Sequence, residues 1–128
     1  CSAFPFGDKY IRLESVQNAI DQSQLIAKNI LGANLEYKPI PWFWSDQYDV
    51  KLQIAGLNNG YDQIVSRINK EAVSVSNWYY KDDTFLAVDA INDSRAYMVG
   101  KRFLEAGKSP NKLKLPNPEI DLKDLLTQ

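Results

Sequence analysis

The pattern of hydrophobic and polar positions predicts a short strand followed by a helix at the start of the chain. Residues 10–14 alternate with period two, as in a strand, and Ser15 is a suitable helix N-cap. Apolar residues then recur at helical spacing until Gly32, which indicates an amphipathic helix that packs on the rest of the domain. The apolar stripe consists of Val16, Ala19, Ile20, Ile26, Ala27 and Ile30.

A linker and a first pair of strands are predicted next. Residues 32–41 combine glycine, asparagine and two prolines, and we place a boundary between two domains after residue 35 within this linker. Apolar and polar side chains alternate again over residues 48–54, so one face of this strand is expected to be buried. The Asn-Asn-Gly sequence of residues 58–60 predicts a tight turn, and residues 61–68 should return as the partner strand.

A second pair of strands and a last helix follow. Residues 73–81 and 84–91 flank a turn at residues 82–83, and aromatic side chains fall on both faces of the first strand near that turn. Asn92 or Asp93 is then expected to be the N-cap of a helix. The core stripe of this helix is Ala96, Val99, Phe103 and Leu104, and Gly107 ends it.

The order of these elements predicts the fold class. Two consecutive hairpins flanked by helices define an α+β fold with an antiparallel sheet, not an alternating βαβ fold. The tail from Lys108 contains three prolines and is expected to wrap the surface. A short turn of helix is expected within that tail over residues 122–126.

Residues 41–48 hold an aromatic cluster that local propensity does not explain. Trp42, Phe43, Trp44 and Tyr48 fall in this stretch, so it contains two of the three tryptophans of the chain. Such a cluster is either a hydrophobic plug between two layers of a fold or an aromatic wall presented to a flat ligand, because indole buries a large area and stacks well. The three polar residues before Tyr48 are interpreted as a turn.

Composition narrows the classes of function. With 128 residues, 45% hydrophobic and 24% charged, the chain is long enough for one core. A formal net charge of −1 gives no sign of nucleic-acid or membrane-surface binding, and no apolar run approaches the roughly 18 residues of a spanning helix. One cysteine and no histidine argue against a disulfide framework, a metal site and histidine-based catalysis.

The carboxylates do not suggest acid–base catalysis. Asp46 is interpreted as a turn or cap residue, Asp49 and Asp62 as residues on solvated strand faces, and Asp89 as an acceptor for a nearby donor. No second carboxylate sits at a spacing that would indicate a catalytic pair, so no catalytic residue is assigned. Neither Gly-x-Gly-x-x-Gly nor a P-loop occurs, so this sequence contains no dinucleotide-binding fingerprint of its own.

Six short sequences occur in an order that resembles one family. They are Arg12-Leu-Glu-Ser-Val16-Gln-Asn-Ala19, Pro41-Trp-Phe-Trp-Ser-Asp-Gln-Tyr48, Leu52-Gln-Ile-Ala-Gly-Leu57, Gly60-Tyr61-Asp62, Ala87-Val-Asp-Ala-Ile-Asn92 and Met98-Val-Gly-Lys-Arg102. Together they resemble the carboxy-terminal part of FAD-dependent, NADH-oxidising ferredoxin reductases of bacterial oxygenase systems. Apoptosis-inducing-factor-like flavoproteins share the Phe-Trp-Ser-Asp sequence more loosely.

The resemblance implies a function for the whole protein. Such an enzyme takes a hydride from NAD(P)H onto FAD and releases it as single electrons to a [2Fe–2S] ferredoxin, in the cytoplasm, with the cofactor supplying the difficult chemistry. Residues 1–35 would be the last strand and helix of the FAD-binding domain, and residues 36–128 the reductase C-terminal α+β domain. Five basic residues late in the chain could steer an acidic ferredoxin, but a solvated face is the commoner use of such residues, and no docking role is assigned to them. These are Lys101, Arg102, Lys108, Lys112 and Lys114.

The resemblance also implies three site residues. The position that matches Val16 touches the flavin ring through its backbone amide, which suits a helix N-terminus. The position that matches Trp44 lies beside the flavin and near the ferredoxin surface, so Trp44 is assigned to both cofactor and partner binding. Trp42 is assigned to partner binding, and no metal ligand is assigned.

For the isolated chain, the resemblance implies an inactive fragment that does not retain FAD and that associates with itself through the exposed helix stripe. Two alternatives stay open. One is an apoptosis-inducing-factor-like or monodehydroascorbate-reductase-like flavoprotein, and the other is a non-catalytic protein-binding or dimerisation module. Cys1 would be the cysteine of a Gly-Asp-Cys segment of the family, and a lipid-modified lipoprotein is the less favoured interpretation.

Overall fold

The computed structural model describes residues 1–125, and the chain divides into two units, Cys1–Pro41 and Trp42–Gln128. In the first unit, β1 (Phe4–Phe6) and β2 (Lys9–Ile11) form an antiparallel hairpin that precedes α1 (Val16–Ile30). The predicted early strand and helix are therefore confirmed, whereas β1 was not expected from the sequence.

Ser15 starts α1 as expected. Its side-chain oxygen accepts a hydrogen bond from the backbone N–H of Asn18 at 3.2 Å, which satisfies one of the helix's free donors. Asn18 is the one buried residue of α1, and its side chain bonds the backbone oxygen of Leu13 and the hydroxyl of Tyr37, both at 2.7 Å. The helix is thus fixed at its first turn by a polar contact.

The apolar stripe of α1 is exposed rather than packed within its own domain, so that prediction is wrong. Val16, Ile20, Ile26 and Ile30 are all exposed. The helix pattern was interpreted correctly, but amphipathic periodicity shows only that a face is apolar, and it does not show what covers that face. An exposed apolar stripe of this kind is typical of a surface that meets another domain or molecule.

The second unit is built on a five-stranded antiparallel sheet. Its strands, in the spatial order β3-β4-β7-β6-β5, confirm the predicted α+β class with an antiparallel sheet. They are β3 (Trp42–Gln47), β4 (Val50–Gly56), β5 (Gln63–Asn69), β6 (Ser74–Lys81) and β7 (Thr84–Ile91).

Two details of the predicted sheet are wrong. The polar residues after Trp44 belong to β3 and pair with β4, so the turn falls at Tyr48, where φ is +55°. The strand over residues 61–68 was expected to pair with β4, but β5 pairs with β6 instead. The Asp62 amide donates to the Tyr80 carbonyl at 2.9 Å and directs the chain to β6, while β3 and β7 occupy both sides of β4.

The hairpin of β6 and β7 is confirmed, with its turn at Asp82, where φ is +53°. The sequence left the buried face of β6 unassigned because aromatics lie on both faces. Trp78 and Tyr80 are fully buried on the core side, and the pairing of β6 with β7 shifts register between Tyr79 and Tyr80. Tyr79 is also buried, so aromatic side chains are buried on both faces of β6 before the exposed Lys81.

The last helix, α2 (Ser94–Glu105), covers the core face of the sheet. Asp93 is its N-cap and accepts from the Ala96 amide at 2.9 Å, whereas the neighbouring Asn92 bonds the backbone of Lys51. Gly100 lets the helix approach the sheet, because a Cβ there would lie 2.5 Å from Cγ1 of Val88. The predicted stripe is confirmed, with Ala96, Val99 and Phe103 buried and Leu104 half-buried.

The tail does more than wrap the surface, which corrects that prediction. Leu115 is fully buried, and Leu122 and Leu125 join the same core cluster. Residues 122–125 form turns rather than helix, and Leu126 lies outside the described residues. The Arg67 guanidinium organises this segment, since it donates to four backbone carbonyls. They belong to Leu115 (3.0 Å), Asn117 (2.6 Å), Pro118 (3.1 Å) and Ile120 (2.9 Å).

Replacing Arg67 tests whether its hydrogen bonds to the four tail carbonyls stabilise the fold. Arg67→Met keeps an apolar stem but removes every donor, so we expect the free energy of unfolding to fall by about 1–3 kcal/mol. Arg95→Met is the matched control, because the Arg95 ion pair with Asp121 is exposed and should be worth less than about 1 kcal/mol. Urea denaturation of both variants gives the comparison, and equal losses would show that these hydrogen bonds add no stability.

Candidate functional site

The aromatic cluster forms one edge of the sheet. Trp42, Phe43 and Trp44 all lie on β3, which is an edge strand with β4 as its neighbour in the sheet. Because side chains alternate along a strand, the two tryptophans share one face and Phe43 points to the other. The two indole rings lie 5.4 Å apart with an angle of 30° between their planes. They therefore form a continuous aromatic surface.

Trp42 extends the hydrophobic core. In the sheet it lies opposite Ala55, and the row continues through the buried Val88 and Trp78 on the same face. Its ring lies 6.2 Å from that of Tyr97 on α2 and packs against the core cluster. Trp42 thus closes the gap between the sheet edge and the helix, as expected of a hydrophobic plug.

Trp44 is placed differently. Its side chain is 38% exposed, and its cross-strand partner is the polar Gln53, whose side-chain oxygen accepts from the Ser94 hydroxyl at 2.7 Å. The ring rests on Trp42 on one side and meets solvent on the other. The two interpretations of the cluster therefore divide between two residues, with Trp42 as plug and Trp44 as wall.

Lys101 on α2 contacts Trp42, the tryptophan that supports Trp44. Its ammonium group lies 5.2 Å from the centre of the Trp42 ring, and it sits one helical turn after Tyr97 on α2. The sequence reasoning found the aromatics but not this contact. The spacing of four between Tyr97 and Lys101 places them on one face of α2, but the pairing of α2 with β3 is a long-range feature that periodicity does not reveal.

The opposite face of the sheet carries a hydrogen-bonded pair of polar side chains, Tyr79 and Asp89. Phe43 is 47% exposed there, and Asp89 accepts a hydrogen bond from the Tyr79 hydroxyl at 2.7 Å, as expected for this carboxylate. Burial and then the bond to Asp89 raise the pKa of Tyr79 to about 12, so this phenol is a neutral donor at physiological pH. The Tyr61 ring packs edge-on against it at 5.1 Å.

The other carboxylates show no catalytic arrangement. The predicted placements of these residues are wrong. Asp46 lies in β3 rather than in a turn, and Asp49 lies in the turn after β3 rather than on a strand face; both are exposed. Asp62 precedes β5 rather than lying on a strand, and it accepts from the Asp82 amide at 2.7 Å. Within residues 1–125 no group of three His, Cys, Asp or Glu side chains is placed to hold a metal ion. In the same part of the chain, no helix is both long enough and apolar enough to cross a membrane.

The N-terminus of α1 is the other predicted contact point. Val16 is the first residue of the helix and is 65% exposed. The side chain and carbonyl of Ser15 accept from Asn18 and Ala19, so the amides of Val16 and Gln17 are the helix donors left without an intrahelical acceptor. No acidic residue lies in the first turn, and the nearby Glu14, just before the N-cap, is paired with Arg12 at 2.8 Å.

The sheet with its aromatic edge and the covering helix form an α+β domain, and comparison with known proteins identifies its family. The reductase C-terminal family matches residues 42–126, and the chain belongs to this family. It is 40% identical, over 98% of its length, to a ferredoxin–NAD(P)+ reductase from a Sphingomonas species. It is 33% identical, over 93% of its length, to putidaredoxin reductase from Pseudomonas putida.

A solved structure agrees with these relatives. The reductase in the covalent complex of putidaredoxin reductase with putidaredoxin is 32% identical, with a TM-score of 0.87 over 99% of this chain. The chain covers 31% of that structure's chain, and 30% and 28% of the two curated relatives. It therefore corresponds to under a third of the proteins it matches.

Alanine substitutions test whether Trp42 is a core residue and Trp44 a surface residue. We expect Trp42→Ala to lower the free energy of unfolding by about 2–4 kcal/mol, since it opens a gap between the sheet and α2. Trp44→Ala should lower it by no more than about 1.5 kcal/mol, because part of its ring stays in water in the folded state. Urea denaturation measures both values. A loss for Trp44→Ala as large as that for Trp42→Ala would place Trp44 in the core.

Proposed function

We propose that this chain is the carboxy-terminal part of an FAD-dependent NAD(P)H:ferredoxin reductase. The observation that carries the proposal is the half-exposed Trp44 indole, supported from behind by Trp42, in a domain of the reductase C-terminal family. In the whole enzyme, bound FAD would accept a hydride from NAD(P)H and deliver single electrons to a [2Fe–2S] ferredoxin. We place this enzyme in the cytoplasm, where NAD(P)H is supplied by metabolism.

Trp44 would serve both the cofactor and the partner. An indole held by Trp42 presents a rigid apolar surface, which can exclude water from the edge of the flavin. The same ring is amphipathic, and aromatic residues of this kind are enriched in protein interfaces that are apolar inside and wet at the rim. Trp42 would contribute to partner binding indirectly, by holding Trp44 in place.

Val16 would contact the cofactor through its backbone. The free amides at the start of α1 and the positive end of the helix dipole suit the electron-rich edge of a reduced flavin. The exposure of this helix end leaves room for such a ligand. We assign residues 1–35 to the end of an FAD-binding domain and the remainder to the reductase C-terminal domain.

On its own, the chain should not retain FAD, because neither unit contains a glycine-rich phosphate-binding sequence. We also propose that the isolated chain associates with itself. The exposed stripe of α1 supports this, since an apolar helix face in water gains free energy when a second surface covers it.

Trp44→Phe in the whole enzyme tests the electron-transfer role. Phenylalanine keeps a ring but loses the wider indole surface and its N–H, so we expect the rate of ferredoxin reduction to fall about three- to tenfold, equivalent to about 0.7–1.4 kcal/mol. Stopped-flow absorbance of the [2Fe–2S] centre follows the reaction. Unchanged ferredoxin reduction with a sharply lower melting temperature would instead make Trp44 a core residue.

Val16→Pro tests the backbone contact. Proline is tolerated at the first position of a helix and removes the N–H without breaking α1. If that N–H bonds the reduced flavin, its loss should lower the two-electron potential by about 30–60 mV, the equivalent of one hydrogen bond to a charged group. Spectroelectrochemical titration measures the potential. Val16→Ala keeps the N–H and is the control, and equal potentials for all three proteins would remove Val16 from the flavin site.

A further inference from the structure

The Lys101 ammonium group is held next to the pair of indole rings formed by Trp42 and Trp44. It lies 5.2 Å from the centre of the Trp42 ring, within the range of a cation–π interaction. The side chain is half-buried, and on α2 it lies one helical turn after Tyr97. The position of the charge is therefore set by the same packing that sets Trp42.

Lys112 is a useful comparison, because its charge is used by partners within the fold. Lys112 lies 5.3 Å from the centre of the Tyr80 ring and also bonds the Asp82 carbonyl at 2.6 Å and the Gln63 side chain at 3.0 Å. Its ion pair with Asp83 uses its charge within the fold. Lys101, by contrast, forms no ion pair with any carboxylate among residues 1–125.

The difference matters for recognition. A free lysine side chain loses rotamer freedom when it pairs with a carboxylate, which offsets much of the gain at an exposed site. The contact with Trp42 has already restricted Lys101, so less freedom is lost when a partner binds. The Trp42 ring lies between the Lys101 ammonium group and the exposed Trp44, because it contacts both residues.

We propose that Lys101 is a partner-binding residue that pairs with a carboxylate next to the apolar patch that meets Trp44. The partner surface it fits is thus an apolar area bordered by an acidic side chain, and the inference rests on the proposed ferredoxin reduction. Arg102, the next residue on α2, is exposed and forms no cation–π contact with an aromatic ring among the described residues. It carries the same charge and so supplies a matched comparison.

The first measurement uses this chain alone and does not depend on ferredoxin. Iodide, an anion, should quench tryptophan fluorescence less in Lys101→Met than in wild type, because the ammonium group that attracts it to Trp42 is gone. Quenching by neutral acrylamide should stay equal, and Arg102→Met should behave as wild type with both quenchers. Equal iodide quenching in Lys101→Met and wild type would show that the charge is not at the indole, and would overturn the inference.

The second measurement uses the whole enzyme with putidaredoxin as the probe, over a range of potassium chloride concentrations. We expect Lys101→Met to raise the KM for the probe about threefold at low salt, with values converging on wild type at high salt. Lys101→Arg should restore the KM, and Arg102→Met should leave it unchanged. A KM for Lys101→Met equal to that of wild type, or a rise that salt does not reduce, would overturn the assignment.

The same assay separates this inference from the proposed function. Wild-type enzyme that oxidises NADH with ferricyanide but reduces no putidaredoxin would count against the proposed function and, with it, against the role of Lys101. Wild-type enzyme that reduces putidaredoxin, with no effect of Lys101→Met, would overturn the inference alone.

Discussion

The close approach of α2 to the sheet at Gly100 is the contact on which the rest of the second unit depends. With no side chain at that position, the helix lies directly on Val88 and Trp78, which belong to the row of core residues that crosses the sheet. Any larger residue would push the helix outward, because the neighbouring atoms are buried and cannot yield easily. That separation also fixes how near Tyr97 and Lys101 come to Trp42. The site at the sheet edge is therefore set by a packing contact in the middle of the core.

Local signals in the sequence predicted the helices and one hairpin. Ser15 and Asp93 are both used as N-caps, and the β6–β7 turn falls at the predicted aspartates, because each of these features depends on a few neighbouring residues. The pairing of β5 was predicted wrongly. A turn sequence shows that the chain reverses, but the strand it returns to depends on which edges are already occupied, and that is a long-range property.

The candidate site was predicted only in part, because its residues are local in sequence but their roles depend on long-range packing. The aromatic cluster stands out in the sequence, but the division of roles between Trp42 and Trp44 depends on the register with β4 and on the position of α2. The tail was also misjudged. Its prolines indicated an irregular segment, and nothing local could show that Arg67, far away on β5, binds its carbonyls and brings Leu115 into the core.

The placement of the aromatic wall on an edge strand has an evolutionary consequence. A side chain on a central strand has neighbours on both sides, so a change there disturbs two rows of packing. Among the strands that the structure describes, Trp44 has a cross-strand neighbour on β4 only, and that neighbour is the polar Gln53. New residues can therefore be tried at this position with little loss of stability, so the exposed surface of the sheet edge can change in shape and polarity through single substitutions while the core stays the same.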